Sequence, residues 1–72
     1  MPRRIDSAIL RSAAHDAEMN LDFLKAAAMW EAAIFAYSPR IAKLRRGQAE
    51  LALMRKHLGA CRLQIGRPIG HA

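Results

Sequence analysis

A chain of 72 residues with a formal net charge of +6 makes one small domain, near the size at which a monomer's core becomes marginal and association supplies the missing burial. Its 53% apolar content excludes a disordered chain, and its single cysteine excludes both an intrachain disulfide and a thiolate metal cluster. The charge is unevenly placed: residues 1–38 sum to −1 and residues 39–72 to +7, which points to an acidic partner or to pairing between the halves.

The start, MPRRIDSAIL, has basic residues with no apolar run behind them, so no secretory leader is expected. With one unpaired cysteine, a cytoplasmic setting follows. Asp6 or Ser7 can cap a first helix, and no Gly or Pro then interrupts the chain before Pro39. At about 100° per residue, Ile9, Ala13, Phe23, Ala27, Trp30, Ile34 and Tyr37 share one side, and Arg11, Glu18, Asp22 and Lys25 the other. The phase predicts helix 1 over residues 6–37, with a break near Asn20, where a second helix can be capped, as the alternative. Its most apolar stretch, residues 26–37, contains Glu31 and is too short to span a membrane.

YSPRI is the punctuation. Ser38 suits an N-cap, Pro39 suits the first helical position, and the residue before a proline is steered out of helical geometry. Helix 2 is predicted over residues 39–65, with Gly59 as an earlier candidate stop and Gly66 and Pro68 as the later one. The later end matches the two helices at roughly 40 and 47 Å. Residues 44, 47, 51, 54, 58, 61 and 65 form a heptad seam. Turning the chain at Ser38 brings Trp30 over Gly47, Asp16 near Arg62 and Glu31 near Arg45. The ends, MPRRI and RPIGHA, are expected to fray.

The expected fold is therefore all-α, an antiparallel hairpin of two long helices forming one domain over residues 1–72. A second apolar strip on helix 1, including Leu10, Leu21, Leu24 and Phe35, would be left in water by a lone hairpin. Its burial between two copies predicts a homodimeric four-helix bundle, parallel or antiparallel.

Candidate chemistry is sparse. His15, Glu18 and Asp22 have spacings that can offer metal ligands, but on a single exposed helix they read as a solvated stripe, and neither a metal nor another cofactor is expected. There is no phosphate-binding glycine loop and no paired-cysteine motif, and the serines read as caps or small helix residues, so an enzyme is not expected. Cys61, on the seam, reads as a small buried residue. Lys43, Arg45, Arg46, Lys56 and His57 spread over the side of helix 2 away from the leucines, offset only by Glu50.

Several long cations with loose geometry suit phosphate oxygens. The aromatics all lie in helix 1, which argues against stacked single strands. The leading expectation is a small non-enzymatic regulatory protein that binds a duplex or folded-RNA backbone through Lys43, Arg45, Arg46 and Lys56. The alternative is an adaptor or inhibitor that docks on a larger acidic protein.

Overall fold

The computed structural model describes residues 6–66, so the expected frayed ends lie outside the described residues. The chain is all-helical, with 87% of the described residues in helices and no strand among them. In place of two long helices it has α1 (Ser7–Met19), α2 (Phe23–Ala36), a single turn α3 (Pro39–Ala42) and α4 (Arg45–Gly66).

The expected helix over residues 6–37 is broken by capping chemistry. Asp6 opens α1 by accepting the Ala8 amide at 3.1 Å. At the other end the Leu21 amide donates to the Glu18 carbonyl at 2.9 Å and the Asp22 amide to the Ala17 carbonyl at 2.8 Å. This paired closure is a Schellman motif. Its left-handed position is filled by Leu21, at φ 59°. Asp22 then opens α2, its carboxylate accepting the Lys25 amide. The chain folds back, and the buried alanines of α1, Ala14 and Ala17, join those of α2, Ala26 and Ala33, in one core. Ser7 ties the two helices together by donating to the Ala33 carbonyl at 2.8 Å.

The expected helix over residues 39–65 is also interrupted. Its first turn is α3, which closes when the Leu44 amide donates to the Ile41 carbonyl. The chain thus reverses between Tyr37 and Leu44, not at Ser38 alone, and every facing pair moves along. Tyr37 meets Glu50, Trp30 meets His57, and Glu31 pairs with Arg62 at 2.7 Å. These pairings replace the expected ones of Trp30 with Gly47, Glu31 with Arg45 and Asp16 with Arg62. Gly47 instead abuts α3, where an added Cβ would overlap the Ile41 carbonyl.

The inner seam positions of α4 are buried: Gly47, Leu51, Met54, Leu58 and Cys61. The helix passes through Gly59 and reaches Gly66. Helix α2 is packed by both α1 and α4. The principal extents of 47 × 29 × 15 Å describe a slab little more than one helix thick. Such a slab leaves one side of α2 uncovered. Among the described residues no helix is long and apolar enough to cross a membrane.

Candidate functional site

Two groups of charged and polar side chains stand out, one at the α3–α4 corner and one between α1 and α4. At the corner, Arg40 is on α3, Lys43 is in the connecting turn, and Arg45 and Arg46 open α4. All are exposed. The first turn of α4 holds no acidic residue, so these cations reinforce the positive end of the helix dipole, where carboxylates would be favoured. Lys56 lies three turns further along α4 on nearly the same line as Arg45, roughly 16 Å away. Arg55 is exposed beside it.

None of Arg40, Lys43, Arg45, Arg46, Arg55 and Lys56 forms an ion pair among the described residues. The ion-paired acids are engaged elsewhere. Glu50 accepts from Arg11 at 3.0 Å and from the Tyr37 hydroxyl, Glu31 is taken by Arg62, and Glu18 faces His57. Hydrogen bonds from Tyr37 and then from Arg11 hold the Glu50 carboxyl below its ordinary range. The same bond to Glu50, followed by burial, pushes the Tyr37 hydroxyl up. The chain's one carboxylate side chain beyond residue 38 is thus engaged by Tyr37 and Arg11, and of the outer cations only Arg46, one helical turn before it, acts on its charge.

His57 does not belong with that outer set. It is half-buried, with Nδ1 3.1 Å from a Glu18 carboxylate oxygen, and its ring stacks on Trp30 with centroids 4.6 Å apart. The Trp30 indole N–H donates to the same carboxylate, and His15 meets Trp30 edge-on at 4.9 Å. Asp22, grouped with His15 and Glu18 in the sequence, caps α2 instead. The heptad spacing places His57 beside Met54, Leu58 and Cys61 at the border of the buried seam, and that border position is the signal that it faces inward. Cys61 is buried, and burial, followed by the nearby Glu18 carboxylate, pushes its thiol up.

The apolar strip of helix 1 is divided by the new fold. Leu10 packs against the chain's own core, whereas Leu21, Leu24 and Phe35 are 73%, 72% and 92% exposed. Leu24, Ala28 and Phe35 lie along the uncovered side of α2. Comparison with protein-family models, curated proteins and solved structures gives no match to this chain.

Proposed function

We propose that this is a small non-enzymatic regulatory protein of the cytoplasm that binds the phosphate backbone of duplex nucleic acid or folded RNA through Lys43, Arg45, Arg46 and Lys56. The observation that carries the reading is the exposed corner of Arg40, Lys43, Arg45 and Arg46 at the start of α4, where none of the four forms an ion pair among the described residues and Glu50 acts only on Arg46. Such a corner is self-repelling in isolation and is relieved by a phosphate, which gains both the cations and the positive helix end. Arg40 and Arg55 extend the strip. Two slabs paired through Leu21, Leu24 and Phe35 would form a homodimeric helical bundle and present two equivalent strips.

One observation favours a second reading, an adaptor docking on an acidic protein: the exposed Phe35 and Leu24 are as suited to a foreign apolar surface as to a second copy. The two readings separate on purification. Nucleic acid that co-purifies at low salt and is released by a high-salt wash supports the first. A stoichiometric acidic protein retained through that wash supports the second.

A further inference from the structure

We propose that His15, Glu18 and His57 form a binding site for a divalent transition-metal ion of the zinc class, a site independent of the basic strip. Each side chain offers one ligand atom, and these atoms lie within 4.8 Å of one another. A tetrahedral zinc ion with bonds of about 2.0 to 2.1 Å draws its ligands to about 3.3 Å apart. His57 Nδ1 and a Glu18 oxygen stand 3.1 Å apart as a hydrogen-bonded pair, so an ion would replace the proton between them and draw in the exposed His15.

The fold makes this set in two steps. One turn of α1 places His15 and Glu18 on the same face. The reversal at Leu21 and the antiparallel run of α4 then bring His57 to that face. The partners of the three groups are those of a metal site as well. The Trp30 N–H bond to Glu18 Oε2 fixes the carboxylate and leaves Oε1, 3.4 Å from His57 Nδ1, without that donor, and the indole stacks on the His57 ring. The two imidazole rings meet edge to face with centroids 5.1 Å apart.

Two imidazoles with one carboxylate suit zinc, cobalt or nickel and are poor ligands for magnesium or calcium, which prefer all-oxygen shells. Of the three ligands His15 is exposed, so an ion reaches the set from solvent on its side. A metal held here would join α1 directly to α4, two helices that otherwise meet through side chains such as Arg11 and Glu50. The ion would act as a cross-link, with a fourth position open to water.

The test is isothermal titration of the full chain with zinc chloride, alongside thermal melts with zinc or magnesium chloride. The expected result is one zinc per chain, a melting temperature raised on the order of 10 °C at a hundredfold excess over Kd, and no response to magnesium. His15→Ala, an exposed change that leaves the helical circular dichroism intact, should weaken zinc binding about tenfold or more. Trp30→Phe, which keeps a ring but removes the N–H, should weaken it about 10- to 100-fold if the indole supports the carboxylate. Asp22→Asn, at the carboxylate that caps α2 and lies outside the set, should leave the affinity unchanged. The site is overturned if the parent shows no saturable binding, if His15→Ala binds as the parent does, or if Asp22→Asn alone abolishes binding.

Discussion

Gly47 lies so close to Ile41 that a Cβ added to the glycine would overlap the Ile41 carbonyl and come 3.0 Å from the Ala42 Cα. The obstacle is backbone, which cannot swing away as a side chain can. Gly47→Ala should therefore destabilise the protein by about 1–3 kcal/mol, although alanine favours a helix by about 1 kcal/mol. Gly59 is the internal control, since a Cβ there meets nothing within 4 Å. Gly59→Ala should stabilise by up to about 1 kcal/mol. Urea melts at one protein concentration check both; a stabilising Gly47→Ala would contradict the packing of α4 on α3.

Leu21 occupies a backbone position that glycine adopts freely and leucine does not, with φ at 59°. Its side chain is mostly exposed, so little packing is lost on truncation. Leu21→Gly should raise protomer stability by roughly 0.5–1 kcal/mol, and Leu21→Val, with branching next to the backbone, should lower it. Thermal melts at low concentration distinguish the two directions.

The same two positions show how far the sequence can be read. Composition and the alternating spacing from Leu51 to Cys61 make the all-helical class and the buried face of α4 legible, because burial follows a period that the residues carry themselves. The fold-back at Asn20–Asp22 is legible only as an alternative. A phase that runs unbroken through residues 6–37 fits one straight helix as well as two that fold together on their alanines, and the closing residue, Leu21, is not the glycine that marks such a turn. The loop between Tyr37 and Leu44 is legible at Pro39 but not in its length. That length shifts the pairing and sends Trp30 to His57 instead of Gly47. The exposed cations are readable one by one; the meeting of His15, Glu18 and His57 depends on both turns and is not.

The Tyr37–Glu50 bond makes stability depend on pH at both extremes. Glu50 is held below its ordinary 4.5, so its contribution is present above 4.5 and is lost as pH falls through the lowered folded value. Tyr37 is raised above its ordinary 10.0, so its contribution is present below 10.0 and is lost as pH rises through the raised value. Tyr37→Phe should remove the alkaline loss and move the Glu50 titration up towards 4.5, with Arg11 still holding it down in part. Side-chain NMR titration of Glu50 in both proteins reads this directly; an unchanged Glu50 curve would contradict the bond.

Association through the uncovered side of α2 predicts that Leu24→Glu with Phe35→Glu yields a folded monomer. Both side chains are more than two-thirds exposed in the protomer, so their replacement should leave helix content intact. Sedimentation equilibrium should show twice the chain mass of 8.0 kDa for the parent at micromolar concentration and the single-chain mass for the variant. A parent that sediments as a monomer would remove the homodimer.

The most direct test of backbone binding by the α3–α4 corner is the salt dependence of affinity for two unrelated duplexes, measured for the parent and for Lys43→Glu with Arg45→Glu. These positions are exposed and outside the core, so the variant should keep the parent's helical circular dichroism. The parent should bind both duplexes with similar affinity and lose affinity steeply as salt rises. The variant should bind both more weakly by similar factors, with the slope of log affinity against log salt shallower by about 0.9 for each phosphate that is no longer neutralised. A parent that binds neither duplex at low salt, or a variant that keeps the parent's affinity and slope, would contradict the proposed function.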